Sequence, residues 1–355
     1  MNSHCSELMM QFQENKPTFE RMLTFAMDYL KSMMVDNNIN VGVEGRVKTE
    51  KSLAGKLELK GDKYREISDV TDLVGVRIIT YYSDEVDKIA SLVEKVFDID
   101  WKNSIDKRKM HDVDHFGYMS LHYICKIPPS LFSDPSLPRL NEFRFELQMR
   151  TALQHVWATI YHDTGYKSDI EMPREYIRPL TRMAVVLEIA DEEFRSIRTS
   201  LENYRRKVRT MLKDGKYKDL ELDGESFRHY LDLDPFRLLT EKIASANNAE
   251  IQEGSGMIYL PILKQMGLKM LSEVEAMRKS CSDDAYRLAL SQMSGTDLDI
   301  ISSTLALQNL CLIHIVKSGH GEAGLKDFYD RLHGVRPRNA SMAHRMYERI
   351  QKILH

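Results

Sequence analysis

The chain has 355 residues, 43% hydrophobic and 29% charged, and carries a formal net charge of −3. That length suggests two domains, or one domain with a large appendage, and either could bury a sizeable core. The near balance of acids and bases excludes a general nucleic-acid coat, so any nucleic-acid partner must be met by a local patch.

The four cysteines, Cys5, Cys125, Cys281 and Cys311, are far apart and form no CxxC pair. Such usage fits reduced thiols and offers no zinc site. The N-terminus shows no basic segment feeding an apolar run, and no stretch reaches the ~18–20 apolar residues of a membrane helix. The expected localisation is cytoplasmic, with no membrane partner.

Residues 5–36 carry apolar side chains at helical spacing, among them Leu8, Phe12, Phe19, Met22, Ala26 and Leu30. They predict one or two helices, with Pro17 a natural start for a second. Val41 to Lys48 has a period of two and predicts a strand. Thr49 then offers an N-cap for a short helix through Leu59. Val76 to Tyr82 is β-branched and aromatic and predicts a buried strand. Asp84 to Phe97 returns to helical spacing. Ser120–Ile127 and Phe143–Thr151 predict strands, separated by a proline-punctuated loop. Thr151–His162 predicts a helix, and Arg174–Leu212 one long amphipathic helix, bent near Pro179. From about Phe227 onward the pattern is helical, with breaks at Gly254–Gly256, Gly295 and Gly319–Gly324. The order is mixed α/β first and all-α second, an α+β fold with a helical appendage. The expected divisions are an N-terminal helical segment at 1–40, a catalytic domain at 41–215 including the long helix, and a helical domain at 216–355.

Four constellations could carry chemistry. On the strand Phe143 to Arg150, the apolar Phe143, Phe145, Leu147 and Met149 alternate with Arg144, Glu146, Gln148 and Arg150. Pattern alone favours a half-exposed strand with a solvated polar face. The sharper reading is a sheet face with a metal- or proton-handling carboxylate among arginines. Upstream, Arg46 and Lys48 share a strand face, and Ser52 and Lys56 share a helix face. Together they could cradle a triphosphate beside a helix start, although the glycines lack Walker A spacing; an ordinary basic surface is the even alternative. Asp72 lies just before a buried strand that contains Arg77, where a carboxylate either holds Mg²⁺ or caps a turn. Tyr118, Ser120 and His122 alternate onto one face, a weak signal that could stack on a base.

These sets, in this order, resemble the synthetase domain of RelA/SpoT-type alarmone synthetases, the GTP pyrophosphokinases. The resemblance runs from about Val43 to Lys167. Its pieces are Arg46-x-Lys48-x3-Ser52-x3-Lys56, then Asp72-x2-Gly75-x-Arg77-Ile78, then Gly117-Tyr118-x-Ser120-x-His122. Glu146-x-Gln148-x-Arg150-Thr151 and His155-x-Trp157-Ala158-x3-His162-x3-Tyr166-Lys167 complete it. Five pieces in register are highly specific. The resemblance implies a nucleotidyltransferase-like mixed sheet packed by helices. It implies transfer of the β,γ-pyrophosphate of ATP to the 3′-hydroxyl of GTP or GDP, the making of guanosine penta- or tetraphosphate in the stringent response. Arg46, Lys48, Ser52 and Lys56 would bind the ATP phosphates, with Arg77 assisting. Asp72 and Glu146 would hold Mg²⁺, and Glu146 would also activate the acceptor hydroxyl. Tyr118 would stack on the acceptor base and His122 contact the acceptor nucleotide, with Ser120, Gln148 and Arg150 ordering the same face.

The loop before Gly117 departs from the family pattern of a nearby Lys and Asn, reading Lys107 to Phe116 with Asp114, His115 and Phe116 next to the motif. Lys107 and Lys109 could supply charge from further off. The acceptor is therefore open between GTP, GDP, another purine nucleotide and the 3′ end of a tRNA; an inactive nucleotide sensor is a third class, opposed by the intact Asp72, Glu146, Arg46 and Lys48. His111 to His115 reads as a flexible loop ahead of a metal cluster. Only about 45 residues precede Arg46, too few for a hydrolase domain, so no alarmone hydrolysis is expected. The basic run Tyr204 to Arg209, continued by Lys213, Lys216 and Lys218, reads first as a solvated helix end and second as an RNA or anion patch. The C-terminal 130 residues carry no resemblance that names a family; regulation, assembly (a homo-oligomer among the options), and neutralising or targeting the synthetase are the roles open to them.

Overall fold

The computed structural model describes residues 3–108, 120–131, 140–165, 174–294 and 299–355. It divides into two compact units, Met1–Thr199 and Ser200–His355.

The first unit opens with α1 (Ser3–Asp36), a single helix that runs through Pro17. A proline inside a helix costs a backbone bond. Here the buried stripe Phe12, Asn15, Phe19, Met22, Ala26 and Leu30 continues unbroken on either side of it, so tertiary packing outweighs the local cost. The strand β1 (Val41–Val47) follows. Then comes α2 (Glu50–Lys60), whose N-cap is Thr49 as its sequence predicts: the Thr49 hydroxyl accepts from the Ser52 amide at 3.3 Å. β2 (Val74–Thr80) and α3 (Ser83–Val96) come next, then the short β3 (Asp98–Ile99) and β4 (Ile105–Asp106). β2 sits two residues earlier than its composition suggests, because its pairing with β1 runs from Val74 to Thr80 and leaves Tyr81 exposed. β5 (Leu121–Lys126), β6 (Phe145–Thr151), α4 (Ala152–Gly165) and α5 (Arg174–Lys213) complete the set.

The six strands form one mixed sheet in the order β1-β2-β6-β5-β3, with β4 also on β5. β2 and β6 are parallel; the other pairings are antiparallel. One face is apolar. Val74, Val76, Ile78, Phe145, Leu147, Met149, Leu121, Tyr123 and Cys125 pack there with the buried stripes of α1 and α3 into one core. Each fully buried Leu, Phe or Met in it stabilises by ~1.5–3 kcal/mol relative to exposure. Gly45 shows how close α1 lies to β1: a Cβ there would come within 2.5 Å of Leu23 and 2.7 Å of Met27.

The second unit has its own core, which begins with Val208 and Leu212 of α5. Its helices are α6 (Gly224–Leu231), α7 (Arg237–Ser245), α8 (Leu260–Gln265), α9 (Leu271–Met293), α10 (Leu305–Lys317), α11 (Gly321–His333) and α12 (Arg338–Leu354). This helical region also holds a short parallel pair, β7 (Glu250–Gln252) with β8 (Ile300–Ser302). Three-residue strands fall below what alternation in a sequence can reveal. Among the described residues no helix is long and apolar enough to cross a membrane.

Candidate active site

The second face of the sheet is polar, and strand register builds it. Alternation puts Glu44 and Arg46 of β1 opposite the core-facing Val43, Gly45 and Val47. Pairing then aligns Arg46, Gly75, Glu146 and Ile124 in one row across four strands. Glu44, Arg77, Gln148 and His122 form the next row. A cavity of about 540 Å³ lies over these rows, lined by Glu44, Arg46, Lys48, Asp72, Arg77, Glu146 and Gln148 together with Gly45, Gly75 and Val76. Gly75 separates Arg46 from Glu146, and a Cβ there would meet nothing within 4 Å. The missing side chain leaves the floor open between a cation and a carboxylate.

Glu146 is held at both oxygens. The His122 imidazole Nδ1 lies 2.8 Å from Oε1, and the Gln148 amide donates to Oε2 at 3.0 Å. Gln148 in turn accepts from the Arg77 guanidinium at 3.3 Å. Behind His122, its Nε2 meets the hydroxyl of the fully buried Ser120 at 2.6 Å. Burial works to raise the Glu146 pKa, as does the nearby Asp72 charge. The hydrogen bonds and charge of His122, with Gln148, outweigh both and hold it below the usual carboxylate value. Glu146 is thus a carboxylate at neutral pH, fixed in direction.

Asp72 is also held at both oxygens, by cations. Lys48 Nζ lies 2.8 Å from Oδ2 and Lys56 Nζ 2.6 Å from Oδ1. Burial raises the Asp72 pKa, and the two lysines more than reverse this. Burial likewise acts against the charge on Lys56, while Asp72 holds it protonated. The Lys56 ammonium also lies over the Tyr64 ring at 5.7 Å. Ser52, one turn before Lys56 on α2, is exposed, and its amide is taken by Thr49.

Of the residues singled out in the sequence, Arg46, Lys48, Asp72, Arg77, Glu146 and Gln148 meet in one cavity. His122 and Ser120 join it through Glu146. Arg150 is on the same strand but only 3% exposed, and its charge bears on His155 of α4. Tyr118 and the segment His111 to His115 lie outside the described residues. Glu44 escaped the sequence reading, although its i,i+2 relation to Arg46 was visible. The bridging position of Gln148 was not visible, because it depends on the β2–β6 register.

Among the described residues, no group of three or more His, Cys, Asp or Glu gathers as a metal cage. Three carboxylates line the cavity, Glu44, Asp72 and Glu146, and the Asp72 charge acts on Glu146. That suits Mg²⁺, which takes one or two protein carboxylates and completes its shell with phosphate and water.

Part of the chain is similar to known proteins. Residues 45–171 match the profile described as the region found in RelA / SpoT proteins. The GTP pyrophosphokinase YwaC of Bacillus subtilis is 26% identical over 165 residues, 45% of this chain and 74% of the relative. The GTP pyrophosphokinase YjbM of the same organism is 28% identical over 163 residues, 45% of this chain and 72% of the relative. Among solved structures, the small alarmone synthetase 1 from Bacillus subtilis aligns with a TM-score of 0.46 at 23% identity, covering 54% of this chain and 98% of that one. Its complex with the product pppGpp aligns at 0.45 and 24%, covering 54% and 97%. Residues 45–171 thus match the region found in RelA / SpoT proteins, and about 45% of the chain is similar to two GTP pyrophosphokinases.

Proposed function

We propose that the chain transfers the β,γ-pyrophosphate of ATP to the 3′-hydroxyl of GTP or GDP and so makes guanosine penta- or tetraphosphate. The observation that carries this reading is Glu146 fixed as an ionised carboxylate on a sheet face, one open glycine away from Arg46 and beside Lys48, Asp72 and Arg77. In the reaction the acceptor O–H bond breaks, an O–Pβ bond forms and AMP leaves with the former bridging oxygen. Such transfer asks the protein for alignment and charge neutralisation. Arg46, Lys48, Lys56 and Arg77 supply cations for the phosphates, and Ser52 at the start of α2 adds a hydroxyl. Glu146 takes the acceptor proton; His122 and Gln148 fix its orientation while leaving each oxygen a further lone pair. Asp72 and Glu146 would hold Mg²⁺, which when bound neutralises phosphate charge. Tyr118 would stack on the acceptor base, with Ser120, His122, Gln148 and Arg150 ordering the acceptor side.

The test is transfer of label from γ-labelled ATP, with Mg²⁺, to GDP, GTP or total tRNA. Label on the guanosine nucleotides is expected; label on tRNA alone, or on nothing, overturns the proposal. Glu146→Gln should lower the rate by roughly 10²–10⁴ while leaving ATP affinity within a few-fold. Full activity in that variant would remove Glu146 from its assigned role.

A further inference from the structure

The two oxygens of Asp72 raise a question that the proposed chemistry leaves open. A carboxylate assigned to hold a metal is here occupied by two ammonium groups, at 2.8 and 2.6 Å. Neither contact is a loose surface pair: the Lys48, Lys56 and Asp72 side chains are only 16%, 25% and 27% exposed. The Tyr64 ring gives Lys56 a second reason to stay. We infer that Lys48 and Lys56 latch Asp72 in the nucleotide-free protein, so that a divalent metal gains this carboxylate only when a triphosphate draws the lysines away.

The inference rests on the reading of Asp72 as a metal ligand. It follows from charge and geometry. Asp72 and its two ammonium partners sum to +1, and although Glu146 nearby returns a negative charge, a bare dication must displace an ammonium to reach either Asp72 oxygen. A triphosphate reverses the balance. Its oxygens offer the lysines new anionic partners, and the released carboxylate takes the metal. Every charged group then exchanges one partner for another and none is left unpaired in a partly buried site, which would be costly. Arg46, Lys48, Asp72 and Arg77 line the cavity, and Lys56 is tied to it through Asp72. Lys48 and Lys56 therefore act as positioning residues that set the order of binding, nucleotide with or before metal, in addition to neutralising phosphate.

The test uses the full chain without nucleotide and Mn²⁺ as the probe, followed by the electron paramagnetic resonance signal of the free ion and by calorimetry. The wild-type protein should bind Mn²⁺ weakly, and addition of a non-hydrolysable ATP analogue should create a tight site. The double variant Lys48→Met, Lys56→Met should bind Mn²⁺ without nucleotide about tenfold more tightly than wild type. Adding Asp72→Asn to it should cancel the gain. Each single lysine variant, checked for fold by circular dichroism, should fall between. Equal Mn²⁺ affinity in the wild type and the lysine variants, or a gain that survives Asp72→Asn, overturns the latch. If the analogue creates no Mn²⁺ site in the wild type, the reading of Asp72 as a ligand falls with it. Label transfer by the wild type is scored separately, so a failed latch with intact transfer leaves the proposed reaction standing.

Discussion

Glu146 and Gly75 face each other across the β2–β6 register, one supplying a carboxylate and the other an absence. At residue scale that absence can be tested apart from stability. A Cβ at position 75 meets no atom within 4 Å, and β-branched residues suit a strand. Gly75→Val should therefore keep the melting temperature within a few degrees of wild type. The added methyls would stand between Arg46 and Glu146, where the proposed transfer would bring phosphate, and should weaken binding of a non-hydrolysable ATP analogue by about tenfold or more. Titration calorimetry beside a thermal melt distinguishes the outcomes; a destabilised protein with unchanged affinity would mean that Gly75 serves packing instead. The lysine latch belongs to the same scale. The sequence showed Lys48, Lys56 and Asp72 as separate members of two motifs, and their meeting at hydrogen-bond distance is a tertiary fact.

Among the elements, the junction of β6 and α4 joins the site strand to the helices behind it. Thr151 and Gln154 form a capping box: the Gln154 amide N–H donates to the Thr151 hydroxyl oxygen at 3.1 Å, and the Thr151 N–H donates to the Gln154 side chain at 3.0 Å. The same hydroxyl donates to the buried Asp191 of α5 at 2.6 Å. Thr151→Ala would lose a cap worth ~1 kcal/mol and strip a buried carboxylate of a donor, a further ~1–3 kcal/mol. Urea unfolding at neutral pH should show a total loss of about 2–4 kcal/mol. Burial lifts the Asp191 pKa above the usual carboxylate value, and the Thr151 hydrogen bond opposes that rise. The penalty should accordingly be greatest where Asp191 is charged and shrink as the pH falls through its pKa and the carboxyl becomes neutral. A loss independent of pH would assign the effect to the cap alone. The threonine was legible as the end of a strand motif; its second bond was not, because 40 residues separate it from Asp191.

For the whole molecule, the two compact units have separate cores, and the division falls within α5 between Thr199 and Ser200. All the site residues named above belong to the first. A protein comprising residues 1–199 should unfold cooperatively and bind the ATP analogue with affinity within a few-fold of the full chain. Circular dichroism and calorimetry test this; an unfolded fragment would show that the first core depends on the second unit. A cut near residue 215 is expected to be worse for the C-terminal piece, because Val208 and Leu212 of α5 are buried in its core. By itself the sequence determined which residue types could do the chemistry and which of them share a face, since strand and helix periods act over a few residues. It placed Glu146, Gln148 and Arg46 on polar faces, chose Thr49 as a cap and separated a mixed α/β half from a helical one. Only the tertiary structure decided which faces meet. Arg46, Gly75 and Glu146 fall into one row because β1 pairs with β2 across 26 intervening residues and β2 runs parallel to β6 across 64, pairings that no tight turn announces. It also decided that Asp72 rests between two lysines and that Glu146 rests between His122 and Gln148, because those contacts depend on long-range register that local periodicity does not encode.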